Sequence, residues 1–126
     1  MVRSNVGKSS LVNALCGRRL LAKISKTPRK TRTINVFSIY NGKWIVDLPG
    51  YGFAAVSIKE KDNRKHMIDC YLSGRSSLKA IFVLADAYVG ATAPDRQMLA
   101  WLKSACMPYR IIVNKIDRIT QVNLAE

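Results

Sequence analysis

The sequence predicts an α/β domain built on a mainly parallel sheet with one antiparallel hairpin. Three observations carry that reading. A continuous apolar run at 80–85 has the composition of a strand covered on both faces, and 109–113 reads as a second buried strand. Helical apolar stripes alternate with them along the chain. Between two strand-like segments stands Asn41-Gly42, the strongest short-range signal for a hairpin. Buried strands that alternate with helices make parallel sheets, and such sheets carry their ligand-binding loops at the carboxyl ends of the strands.

Taken in order, residues 7–16 read as a helix with Leu11, Ala14 and Leu15 on one face and Gly17 as its stop. Residues 18–33 are polar, basic and broken by Pro28, which predicts a long loop. Strands are expected at 33–40 and 43–46, followed by a loop over 47–57 that contains Pro49, Gly50 and Gly52. A second helix over 58–73 would bury Met67, Ile68, Tyr71 and Leu72, and a third over 92–105 would bury Met98, Leu99, Trp101 and Leu102. A further helix is expected from Ile119. The 126 residues suit a single domain, 1–126, around one core.

Composition narrows the function. The chain carries a net charge of +13, from 21 basic and 8 acidic residues. No acidic residue occurs before Asp47, whereas Arg18, Arg19, Lys23, Lys26, Arg29, Lys30 and Arg32 crowd into one short stretch. That asymmetry points to a polyanionic partner such as RNA, set against the plainer reading of a solvated basic loop. No apolar run is long enough to span a bilayer, and the expected product is a soluble, cytoplasmic monomer that makes no use of a membrane. Cys16, Cys70 and Cys106 show no metal-ligand spacing and read as small buried residues in a reducing compartment. His66, the only histidine, is expected at the surface or in helix packing.

Three short motifs carry chemistry. Gly7-Lys8-Ser9 opens the first helix, where backbone N–H groups and the helix dipole favour phosphate. Lys8 would reach the β- and γ-phosphates, and Ser9 would hold Mg²⁺. Asp47-Leu48-Pro49-Gly50 ends a strand; its carboxylate suits Mg²⁺ and Gly50 offers an unobstructed N–H to a γ-phosphate. Asn114-Lys115-Ile116-Asp117 ends another strand, and a carboxylate there matches the two donors on guanine's edge, which adenine lacks. Each motif alone has a plainer reading, as a chance string, a turn or a polar loop. Their shared order and context, at the ends of strands and the start of a helix, is what a GTPase requires.

Beyond these motifs, Ser25-Lys26-Thr27-Pro28 and the string Asp47-Leu48-Pro49-Gly50-Tyr51-Gly52-Phe53-Ala54 give the chain its resemblance to the EngB/YsxC-type GTPases, of the TrmE-Era-EngA-EngB-septin class. The resemblance implies a three-layer P-loop GTPase fold and a slow GTPase switch in assembly of the large ribosomal subunit, linked to cell division and septation. It implies GTP and GDP as ligands, with the ribosome or its RNA as partner. Nucleotide contacts would come from Ser4, Asn5, Val6, Gly7, Lys8, Ser9 and Ser10. Arg29, Lys30 and Thr31 would add contacts from the switch segment, and Asp47, Leu48, Pro49 and Gly50 from the second motif. Asn114, Lys115, Ile116 and Asp117 would hold the base, with Lys115 along its ring. Mg²⁺ would sit on Ser9, Thr31 and Asp47, and catalytic roles would fall to Lys8, Thr31 and Gly50. Asn5 stands where related GTPases hold K⁺. Tyr51 follows Gly50 where Ras-like enzymes place a water-orienting glutamine, so hydrolysis is expected to depend on a partner.

Val2 stands where the phosphate loop expects its first glycine, and Arg29 where the switch segment expects another. By the same resemblance, the strand that precedes the loop and the final strand and helix are expected to be missing, as in a fragment. A basic RNA-binding remnant without nucleotide chemistry is one alternative. An ATP-using P-loop enzyme is the other, and Asn114-Lys115-Ile116-Asp117 speaks against it.

Overall fold

A computed structural model describes residues 6–17, 34–50 and 57–119 of the chain. In order these form α1 (Lys8–Leu15), β1 (Asn35–Ser38), β2 (Trp44–Asp47), α2 (Ile58–Leu72), β3 (Ile81–Asp86), α3 (Ala93–Ser104) and β4 (Tyr109–Asn114), with single 3-10 turns at Tyr40–Gly42 and Ile116–Arg118. The predicted alternation is present, and most boundaries move by only a residue or two. The basic segment at 18–32 and most of the helix expected from Ile119 lie outside the described residues.

β3 and β4 pair in parallel, from Ile81 opposite Tyr109 to Asp86 opposite Asn114. β1 and β2 pair antiparallel, from Asn35 opposite Asp47 to Ser38 opposite Trp44. Among the described residues parallel pairing is confined to β3 and β4, and the ladder is interrupted between β2 and β3. The hairpin forms where Asn41-Gly42 predicts it, but as a three-residue loop. Ser38 faces Trp44 and the Ile39 N–H donates to the Lys43 carbonyl at 2.8 Å, which leaves Tyr40, Asn41 and Gly42 in the turn. Asn41 at φ 69° and Gly42 at φ 66° take the left-handed region, which these two residue types tolerate best.

Side chains alternate across the β3–β4 pair, so each face meets a different layer. Ile81 and Val83 join Leu48, Ile68, Leu72 and Leu102 in the main core, with Met98, Leu99, Trp101 and Tyr109 packed around it. Leu84 and Ile112 point the other way, against Val6 and Leu11. α2 and α3 therefore cover one face and α1 the other, a three-layer α/β arrangement. Leu102 is fully buried, and removing a side chain of that size from water contributes about 1.5–3 kcal/mol.

Both helices on the first face have their starts fixed by side chains. The Glu60 N–H donates to Ser57 Oγ at 3.2 Å ahead of α2. Buried Asp95 accepts from the Thr92 N–H at 2.8 Å and from Thr92 Oγ1 at 2.7 Å ahead of α3. α2 buries Ile68 and Leu72 as expected, but extends that stripe with Arg64, whose guanidinium reaches Glu60 Oε1 at 2.6 Å.

Two expectations need correction. β4 is not a buried strand, since Ile111 and Val113 are 50% and 55% exposed, whereas β3 buries Ile81 and Val83 on one face and Leu84 on the other as expected, with Phe82 half-exposed. The cysteines are not buried. Cys70 is exposed on α2, with its Sγ 3.5 Å from the exposed His66 ring. Cys106 is exposed in the turn after α3, and Cys16, at the end of α1, is half-buried.

Candidate functional site

The carboxyl ends of β2 and β4 carry two of the three motifs, and the third opens α1. Gly7 precedes α1 at φ 91°, a conformation that side chains resist. Asn114 closes the space beside it, and a Cβ at Gly7 would overlap Asn114 Nδ2. Glycine is thus required here twice, by the backbone turn and by a neighbour. Among the described residues no side chain caps α1 and no acidic residue lies in its first turn, so the N–H groups there face no competing carboxylate.

Lys8 turns toward β2. Its Nζ donates to the Leu48 carbonyl at 2.7 Å and forms an ion pair with Asp47 Oδ1 at 2.5 Å. Beyond that ion pair, this buried oxygen has no hydrogen-bond partner among the described residues. A buried carboxylate oxygen in that condition retains capacity for a cation. Leu48, Pro49 and Gly50 are buried behind it, and Ser9 is half-buried in the first turn of α1.

The β4 end is tied to the same loop. Asn114 Nδ2 donates to the Val6 carbonyl at 2.7 Å, a bond between residues 108 positions apart. Lys115 follows at φ 59°, a left-handed conformation unusual for its type, and starts the 3-10 turn Ile116–Arg118. Its Nζ donates to Asp86 Oδ2 at 2.9 Å. Asp86 Oδ1 accepts from the Tyr88 N–H at 2.9 Å and is approached by the Val89 N–H at 3.3 Å. Burial pushes the Asp86 carboxyl up, but Lys115 and the Tyr88 and Val89 amides outweigh it and hold it below its ordinary range. Asp117 stays exposed on the 3-10 turn, with its carboxylate toward solvent.

Of the predicted residues, the structure brings together Val6, Gly7, Lys8, Asp47, Leu48, Asn114 and Lys115 through these contacts. Ser9 and Ser10 follow in the first turn of α1, Pro49 and Gly50 follow Leu48, and Ile116 and Asp117 follow Lys115. Ser4, Asn5, Arg29, Lys30 and Thr31, with Val2 and Tyr51, lie outside the described residues. Asp86 escaped the sequence reading, although the signal was present: it ends an apolar strand run as Asp47 does.

Residues 3–115 match the family described as 50S ribosome-binding GTPases. The chain belongs to that family. Among curated relatives it is 45% identical over 124 residues to a "probable GTP-binding protein EngB" of Chlorobium luteolum, covering 98% of this chain and 60% of the relative. It is 44% identical over 117 residues to the protein of the same description from Thermotoga maritima, covering 93% and 60%. For the one from Clostridium botulinum the values are 49%, 93% and 59%. The EngB-type resemblance is thereby borne out, and the chain spans about 60% of these relatives' length. Solved structures of Era share the fold. One, in complex with MgGDPNP and a segment of 16S ribosomal RNA, superposes with a TM-score of 0.74 at 27% identity, covering 98% of this chain and 42% of that one. An Aquifex aeolicus Era variant bound to GDP·AlF4⁻ gives the same values. The P-loop GTPase fold expected from the motifs is the fold observed.

Proposed function

We propose that this chain is the guanine-nucleotide-binding core of an EngB-type GTPase, acting as a slow switch in assembly of the large ribosomal subunit and linked to cell division. One observation carries the reading. Residues from three distant motifs meet through Lys8–Asp47 and Asn114–Val6, at the strand ends where an α/β sheet takes its ligand. In this reading Lys8 leaves Leu48 and Asp47 for the phosphates, and the first-turn amides of α1 receive the oxygens that Lys8 does not reach. Asp47 and Ser9, with Thr31, would hold Mg²⁺, which supplies charge neutralisation at the phosphates; Asp47 Oδ1, whose one contact is the Lys8 ion pair, fits that role once Lys8 turns to the phosphates. Gly50 offers its N–H to the γ-phosphate. The exposed Asp117 accepts both donors on guanine, Lys115 lies along the ring, and Asn114 holds the base-reading turn against the phosphate loop.

The basic segment 18–32 is assigned to ribosomal RNA, in keeping with the RNA-bound Era neighbour. Partner-dependent hydrolysis follows from Tyr51 in place of a water-orienting glutamine, and Asn5 would hold K⁺. The test is titration of the chain with a fluorescent GDP analogue in Mg²⁺, with K⁺ or Na⁺, chased by unlabelled GDP or ADP. Saturable binding displaced by GDP and not by ADP is expected. Equal displacement by both would overturn guanine recognition. No binding, with retained RNA binding, would leave the remnant reading standing.

A further inference from the structure

We infer that Asp86 is a specificity-determining positioning residue, which acts through Lys115 on the geometry of the base-reading turn; the inference rests on the guanine-binding reading above. Lys115 occupies the left-handed region at φ 59°, a conformation that costs energy for a residue with a Cβ and persists only where its surroundings hold it. Asp86 lies at the end of the neighbouring strand, with its register partner Asn114 directly before Lys115. The Ala87 N–H also donates to the Asn114 carbonyl at 2.9 Å, so the backbones are locked side by side where the turn begins.

The Asp86 side chain is itself fixed. One oxygen faces the Tyr88 and Val89 amides, the other takes Lys115 Nζ at 2.9 Å, and the residue is 5% exposed. A carboxylate held in this way is a rigid anchor, and a charge-assisted bond to it is among the stronger that a side chain makes. Asp117 stands two residues beyond Lys115, on the 3-10 turn that Lys115 starts. A shift of that turn moves the carboxylate that must meet two donors on one base edge. Bidentate pairing tolerates such a shift poorly, whereas a single hydrogen bond adapts. Asp86 therefore sets discrimination between a base with both donors and a base with one.

The test compares affinities of the unsubstituted chain, Asp86→Asn and Lys115→Met for GDP and for IDP, which lacks the exocyclic amine, with thermal melting recorded for each. Asp86→Asn keeps the shape and an oxygen for the Tyr88 amide while removing the negative charge that faces Lys115. The expected result is a GDP-to-IDP preference reduced about ten-fold, the worth of one charge-assisted bond, with a similar loss in Lys115→Met. The double variant should add little to either single change, as for two residues acting through one contact. An unchanged GDP-to-IDP ratio in a folded Asp86→Asn protein would overturn the inference, whether affinity for both nucleotides falls together or stays. So would additive losses in the double variant. If Asp86→Asn does not fold, Lys115→Met decides alone, an unchanged ratio again counting against it. Failure of the unsubstituted chain to bind GDP is read first, and it removes the guanine reading together with this one.

Discussion

Gly7 shows how much one side chain's absence can decide. Its backbone sits at φ 91°, and the place of its missing Cβ is taken by the Asn114 amide that reaches the Val6 carbonyl. Gly7→Ala would meet both obstacles, so it should lower stability by about 1–3 kcal/mol, the usual cost of a side chain in a strained backbone region. Chemical denaturation should show the loss, and nucleotide affinity should fall with it because Asn114 has to move. At this scale the sequence was legible wherever chemistry limits the choice of residue. Gly7, Lys8, Asp47 and Asn114 were each readable from type and order, since few residues can turn that tightly, reach a phosphate or end a strand with a carboxylate. Contacts between distant residues were not legible. Nothing in the string of letters sets Asp86 beside Lys115, because that neighbourhood is created by the parallel pairing of β3 with β4.

The secondary elements are specified mostly at their ends. α3 begins where Asp95 folds back on the Thr92 N–H and hydroxyl, with Pro94 in the first turn, where a missing N–H costs nothing. Asp95→Ala should therefore destabilise the chain by about 1 kcal/mol, as the loss of a helix cap does. The shift in thermal midpoint measures it, and Asp95→Asn should recover part of the loss. The helices were predictable within a residue or two because their 3.6-residue periodicity survives substitution. Arg64 broke the pattern: its place on the buried stripe of α2 is opened by Glu60 one turn earlier, a pairing that a hydropathy reading scores as two solvent residues. The hairpin was found but its loop was miscounted, since Asn41-Gly42 announces a turn without stating how many residues join it. For the strands the error had one cause. The run at 80–85 is buried on both faces as read, but 109–113 was read as a second buried strand and is not, because burial depends on what packs above a strand and that is not a local property.

Across the whole molecule, the described residues leave Ile111 and Val113 half-exposed side by side on one face of β4. Exposed β-branched strand surface invites association between copies. Ile111→Thr with Val113→Thr keeps the β-branching and removes most of the apolar area, so it should change stability within about 0.5 kcal/mol per site. It should also raise the concentration at which light scattering first detects aggregates; an unchanged onset would show that this face of β4 is not the adhesive surface. The +13 charge works in the same direction by keeping copies apart, while favouring polyanions. The bond from Asn114 to Val6 has a different consequence at this scale, in the order of events rather than in the finished fold. It joins positions 108 residues apart, so closing it early would cost the entropy of a very long loop. Contacts of such long sequence separation arise late in folding and contribute to slow rates. The junction of the two motifs is accordingly expected to close after the helices and the hairpin, so that a ligand bridging it would act as a clasp on a late step.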